Sequence, residues 1–149
     1  MKKVAKKYTP VFSQNILEDT EVVYPITSRA SRKEALVKEF TYDEFKRILI
    51  KSPFSLAEWA SMLFMSERSL HRYAKDESGF NGLQIERIFL LEALVDLGNE
   101  MFGRDGFKTW LQSRPFSLGG DVVQSYLTTH DGIQELIDIL GRMQHGISA

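Results

Sequence analysis

The chain has 149 residues, of which 43% are hydrophobic and 26% charged, a balance typical of a soluble globular protein with one domain or two small ones sharing a core. The lack of cysteine excludes disulfides, a thiol nucleophile and thiolate zinc sites, and it fits a reducing cytoplasm. The three histidines are far apart in sequence, so we predict no metal site and no cofactor. No apolar run suits a membrane span or an export signal, so we expect a cytoplasmic protein without a membrane segment.

The net charge of -1 hides an uneven distribution of charge along the chain. Residues 1–75 hold 14 Lys+Arg and 9 Asp+Glu, whereas residues 76–149 hold 5 and 11. A basic front and an acidic back indicate two surfaces with different partners, and a chance scatter of solvated side chains is the alternative.

Residues 1–40 form an N-terminal segment that we predict to be partly ordered. Within it, "EVVYPIT" suits a short strand cut off by Pro25, and residues 31–40 suit a short helix. From Asp43 onward the apolar residues follow helical spacing, and Pro53 ends this helix near Lys51.

Two short helices with a tight turn between them come next. Ser55 is a natural N-cap for "LAEWASML", with Glu58 completing a capping box, and Ser66 caps "ERSLHRYAK" with Ser69 at the reciprocal position. The pair matches a helix-turn-helix, which needs a small residue where the helices cross, here Ala60, and apolar residues on both inward faces. The predicted inward residues are Trp59, Leu63, Met65, Leu70 and Tyr73.

The outer face of the second helix is the predicted DNA-binding surface, and it consists of Ser66, Arg68, Ser69, His71, Arg72 and Lys75. The two arginines have forked donors that suit guanine or phosphate, Ser69 suits a base edge or a phosphate, and Lys75 suits the DNA backbone. One small helix-turn-helix rarely supplies enough affinity alone, so we expect a homodimer on operator DNA. The alternative is an ordinary amphipathic hairpin with solvated charges.

Phe64 departs from the helix-turn-helix pattern, because it occupies a turn position often filled by glycine. Since a phenylalanine at positive φ is unfavourable, we expect a different turn geometry.

A long apolar segment from Leu83 to Phe102 predicts a buried central helix. Gly98 within it indicates a bend or close packing, and Gly103 is a plausible C-terminal stop. Farther on, "GFKTWLQS" suits a short helix, and Asp121 suits a cap for "VVQSYL". The fold is predicted to be all-α, with a last helix whose apolar face is Ile133, Leu136, Ile137, Leu140 and Met143.

The motifs of the back half resemble those of a known family. "FGRDGFKTWLQSRPFSLGG" followed by "YLTTHDGIQELIDILGRMQHGISA" closely resembles the toxin-binding domain of Xre/MbcA/ParS-type antitoxins. The resemblance covers residues 85–149, and residues 41–84 look like the Xre-type helix-turn-helix region of the same family. Val123 departs from the pattern, because the family usually has a proline there.

The resemblance implies an antitoxin of a type II toxin–antitoxin system, with a helix-turn-helix region packed on a small helical toxin-binding domain. Its partner would be a cognate RES-domain toxin that depletes NAD. The antitoxin would block the active site of that toxin and repress its own operon as part of a larger toxin–antitoxin complex.

The C-terminal segment is the candidate toxin-binding site, formed by Arg142, His145, Gly146, Ile147, Ser148 and Ala149. It is slim, Gly146 permits close backbone approach, and the terminal carboxylate is anionic, so it suits insertion into a pocket built for a phosphorylated dinucleotide. The alternative is that Gly141 merely bends the last helix and Ile147 caps the core of the domain.

A second functional hypothesis is a stand-alone transcriptional regulator whose C-terminal domain dimerises or senses a ligand. An enzyme is disfavoured, because the sequence lacks a thiol, a metal cluster, a nucleophile elbow and clustered carboxylates. The pair His130-Asp131 suits a helix start better than a catalytic dyad, and no catalytic residue is predicted.

Overall fold

The computed structural model describes residues 40–76 and 79–146, which all fall within the unit Leu36–Ala149. The prediction of an all-α fold is confirmed, since these residues form helices and no strand. The predicted strand and residues 31–39 of the helix predicted over residues 31–40 lie outside the described residues, and Phe40 itself is not helical. The α-helices are α1 (Tyr42–Lys51), α2 (Leu56–Met62), α3 (Glu67–Asp76), α4 (Gly82–Leu111) and α5 (His130–Gln144), and 3₁₀ helices cover Phe116–Leu118 and Val123–Thr128.

The starts of the helices are fixed by local side-chain caps. The predicted capping box of α2 is confirmed, with Ser55 Oγ accepting from Glu58 N at 3.2 Å and Glu58 Oε2 accepting from Ser55 N at 2.7 Å. Ser66 caps α3 as predicted, because its Oγ accepts from Ser69 N at 3.1 Å. A further capping box at the start of α4, between Asn81 and Gln84, was not predicted from the sequence.

One core joins α1–α3 to α4 and α5. Phe45 of α1, Trp59 of α2 and Leu70 of α3 are fully buried, and so are Ile88 of α4 and Leu136 of α5. Because these side chains belong to a single contiguous cluster, the helix-turn-helix packs on the helices of the C-terminal half.

The C-terminal end of α1 is fastened to α4 by polar contacts. Lys51 Nζ lies 2.7 Å from Glu92 Oε1 and 2.7 Å from Asp96 Oδ1. Asn99 Nδ2 donates to the carbonyl oxygen of Lys51 at 2.9 Å. Burial alone would lower the pKa of Lys51, but the hydrogen bonds to the two carboxylates outweigh it and raise that pKa.

The long helix α4 is interrupted at Gly103, whose φ of 70° and ψ of 167° are non-helical. The chain thus turns at Gly103, the predicted C-terminal stop of this helix, and the ring of Phe107 packs against Gly98. A Cβ added to Gly98 would lie 2.3 Å from Phe107 Cδ2, which confirms the predicted close packing at this glycine. None of the helices in the described residues has both the length and the apolar character that a membrane span requires.

The segment before α5 differs from its prediction. Asp121 does not cap a helix, because Val122 occupies the N-cap position of the 3₁₀ helix Val123–Thr128, and this helix has no side-chain cap hydrogen bond. The cap expected at Asp121 is therefore wrong. Helix α5 begins at His130, as expected of the pair His130-Asp131, with Thr129 Oγ1 accepting from Gly132 N at 3.0 Å.

Candidate functional site

The helix pair α2 and α3 has the inward face that the sequence predicts. Trp59, Ala60, Leu63 and Leu70 are buried, and Met65 and Tyr73 are partly buried against the same core. Ala60 is 3% exposed, so no larger side chain fits there without displacing its neighbours. The pair therefore has the packing that a helix-turn-helix requires.

The outer face of α3 brings together every residue of the predicted DNA-binding surface. Five of these side chains are exposed and one, Ser69, is half-buried. They line a single open depression of about 340 Å³, formed by Ser66, Arg68, Ser69, His71, Arg72 and Lys75. The described residues that line this depression all lie on α3 or, in the case of Ser66, directly before it.

The charges of this surface are mainly basic. Within the described residues, no carboxylate lies within ion-pair distance of Arg68, Arg72 or Lys75. His71 Nε2 is 3.8 Å from Glu67 Oε1, one turn earlier on α3. Three cations that are not paired within the described residues are therefore directed at solvent, as phosphate binding requires.

The turn between α2 and α3 contradicts the expectation for Phe64, which has a φ of 56°. The hydrogen bonds explain it: Phe64 N donates to Ser61 O at 3.1 Å and Met65 N donates to Ala60 O at 3.0 Å. This pattern is a Schellman motif, in which the residue after the C-cap adopts the left-handed conformation, usually as glycine. The turn thus has the ordinary geometry, with a strained aromatic residue in it.

The strained Phe64 lies under a side chain that sequence reasoning missed. The guanidinium of Arg87 on α4 is 4.8 Å from the centre of the Phe64 ring, a cation–π contact. Arg87 Nε also donates to the carbonyl oxygen of Met62, and Nη2 donates to that of Leu127 at 2.7 Å. The signal for it was an arginine among the apolar residues of "IERIFLLEAL", since a partly buried cation needs acceptors.

A second polar contact joins α2 to the 3₁₀ helix Val123–Thr128, where Gln124 Nε2 donates to Glu58 Oε1 at 3.1 Å. Burial alone would raise the pKa of Glu58, but hydrogen bonds from Ser55 and Gln124 outweigh it and lower that pKa. Burial lowers the pKa of Arg87.

The described part of the predicted toxin-binding segment lies at the end of α5. Leu140 is the last buried residue of this helix, whereas Arg142, His145 and Gly146 are exposed. Gly146 has a φ of 70°, and its N–H donates to Met143 O at 3.1 Å. Ile147, Ser148 and Ala149 lie outside the described residues. Gly141 stands inside α5, which continues through it to Gln144.

The described residues contain no group of three or more His, Asp or Glu side chains that could hold a metal ion.

No protein-family model matches the chain. The chain is 30% identical to "Antitoxin Xre" of Yersinia enterocolitica serotype O:8 over 124 residues, which cover 79% of this chain and 84% of that relative. The chain belongs to the Xre antitoxin family. An alignment of this extent includes both the helix-turn-helix and α4. The family predicted from the sequence motifs, that of Xre-type antitoxins, is therefore confirmed.

Proposed function

We propose that this Xre-type antitoxin neutralises a cognate RES-domain toxin that depletes NAD, and that it represses its own operon by binding operator DNA. In this proposal it acts in the cytoplasm as a homodimer within a larger toxin–antitoxin complex. It has no catalytic activity of its own, because NAD turnover belongs to the toxin.

The observation that carries the DNA-binding half is the convergence of six predicted residues on one exposed face of α3. An exposed recognition helix with a basic outer face fits the major groove, where arginine reads guanine or holds phosphate. A homodimer would place two such helices about one DNA turn apart, roughly 34 Å, on a palindromic operator.

The toxin-binding half is supported by the family and by the end of α5. Beyond Leu140 the helix contributes no buried side chain. The apolar side chain of Met143 is 39% exposed there. Arg142 and His145 are exposed beside it. A helix end of this kind has surface to offer a partner, and the proposed contact is insertion of residues 142–149 into the NAD pocket of the toxin.

Co-expression with the toxin gene tests the toxin-binding half. A variant that lacks residues 145–149 should fail to restore cellular NAD and growth, whereas the full chain should restore both. Operator binding by the truncated protein, measured by gel shift, serves as the control for folding. Protection of cells by the truncated protein would refute the proposed insertion, and failure of the full chain to protect would favour the stand-alone regulator.

A further inference from the structure

Arg87 contacts the ends of two helices at once. Met62 is the last residue of α2, and Leu127 lies in the last turn of the 3₁₀ helix Val123–Thr128. Both of their carbonyl oxygens accept from the same guanidinium. The carbonyls at a helix C-terminus lack partners within the helix and carry partial negative charge, so a cation there satisfies both ends.

The same guanidinium covers the turn that leads into α3. The ring of Phe64 is 76% exposed, yet its backbone occupies the left-handed region, which a side chain other than glycine adopts only when its surroundings impose it. Arg87 supplies such a constraint on both sides of the turn, through the carbonyl of Met62 and through the ring of Phe64. Since α3 begins at Glu67, the path of this turn sets the direction of α3.

The contact to Leu127 extends this constraint to the C-terminal half. Gln124 holds Glu58 near the start of α2, while Arg87 holds Met62 at its end. The 3₁₀ helix is therefore fastened to α2 at two points. It is also packed against α5, because a Cβ on Gly132 would lie 2.2 Å from Tyr126 O.

We infer that Arg87 is a positioning residue, which holds α3 in the orientation that operator binding needs and links that orientation to the 3₁₀ helix Val123–Thr128. This inference rests on the proposed DNA-binding function. Arg87 itself is half-buried, and its Nε and Nη2 donate to backbone carbonyls, so it acts through the turn and not by touching DNA.

The test compares Arg87→Met and Arg87→Lys with wild type in gel-shift titrations of a DNA fragment from the gene's own promoter, well below their unfolding temperatures. Both variants should bind about tenfold more weakly, a change that corresponds to about 1.4 kcal/mol. Lysine should not rescue binding, because a single ammonium group cannot reproduce the forked donors that reach both carbonyl oxygens. Neutralisation of the toxin in cells should be unchanged, which a general loss of folding would not allow.

Three further variants complete the test: a matched control, Phe64→Leu alone, and Phe64→Leu combined with Arg87→Lys. Arg114→Met is the matched control, since Arg114 Nη1 also donates to a backbone carbonyl, that of Gly120 at 3.2 Å, and its operator affinity should equal that of wild type. Combining Arg87→Lys with Phe64→Leu should weaken binding no more than Arg87→Lys alone, because the two residues act as one unit. Wild-type affinity of Arg87→Lys, or full additivity, would overturn the inference, whereas a wild-type protein that binds no operator would refute the proposed function instead.

Discussion

The ring of Phe107 occupies the space that a side chain on Gly98 would need, with Cδ2 only 2.3 Å from the position of a Cβ. Both residues are buried in the core, on either side of the break at Gly103. The contact explains why α4 has a glycine in its interior, where glycine costs about 1 kcal/mol relative to alanine.

Gly98→Ala should therefore destabilise the protein, by about 1–3 kcal/mol from overpacking against the Phe107 ring. The measurement is the free energy of unfolding from urea denaturation. Gly141→Ala is the control, because that glycine is also helical but nothing lies within 4 Å of an added Cβ. It should stabilise the protein by up to about 1 kcal/mol, and a stabilised Gly98→Ala would show that Phe107 moves aside freely.

The left-handed backbone at Phe64 leads to a separate prediction about stability. Phe64→Gly should be more stable than Phe64→Ala by about 1 kcal/mol, because both remove the ring but only alanine keeps the cost of the left-handed region. The same pair of substitutions at Phe116, which is 99% exposed and has no positive φ, should give the opposite order. Equal stability of the two Phe64 variants would mean that the turn relaxes to another geometry.

The lowered pKa of Glu58 predicts a pH dependence of stability. A carboxyl whose folded pKa lies below its unfolded value stabilises the fold above the unfolded value and loses that contribution as the pH falls through the folded value. The wild type should thus lose stability as the pH falls below 4.5, the ordinary value for glutamate.

Glu58→Gln keeps a capping side chain but cannot titrate, so its free energy of unfolding should fall less over the same acid range. Glu135→Gln, which removes an exposed carboxylate of α5, controls for the loss of one charge. Parallel pH profiles for wild type and Glu58→Gln would contradict this role for Glu58.

The basic face of α3 predicts how operator binding responds to salt. Arg72→Ala should weaken binding and, if Arg72 contacts a phosphate, lower the slope of log affinity against log salt by about 1. If Arg72 reads a guanine, the loss is about 1–3 kcal/mol of discrimination at that base pair. Gel-shift titrations at several salt concentrations distinguish the two roles, with Arg114→Ala as the control; an unchanged affinity and slope would remove Arg72 from the interface.

Local chemistry made much of the fold predictable from sequence. The capping box of Ser55 and Glu58 lies within four residues, and the inward positions of Trp59 and Leu70 follow from helical spacing. The outer face of α3 follows from the same spacing, so its six residues were found together.

The errors and omissions have a different origin. The bonds of Arg87 span 25 and 40 residues of sequence, and no local pattern encodes them. Intrinsic preference argues against a left-handed Phe64, whereas the Schellman hydrogen bonds and the Arg87 contact impose that conformation. The cap at Asp121 failed because a 3₁₀ helix begins after Val122, and helical caps are weak guides to such short segments.

Helix α4 separates the two proposed binding surfaces. Arg87 lies beside the turn of the helix-turn-helix, while Glu100 accepts from Gln144 at the far end of α5 at 3.0 Å. Both residues precede the break at Gly103, so about 20 Å of helix lies between them at 1.5 Å per residue. In the proposed function, a toxin bound at one end of α4 need not collide with a DNA duplex bound at the other, so one antitoxin molecule can hold both partners at once.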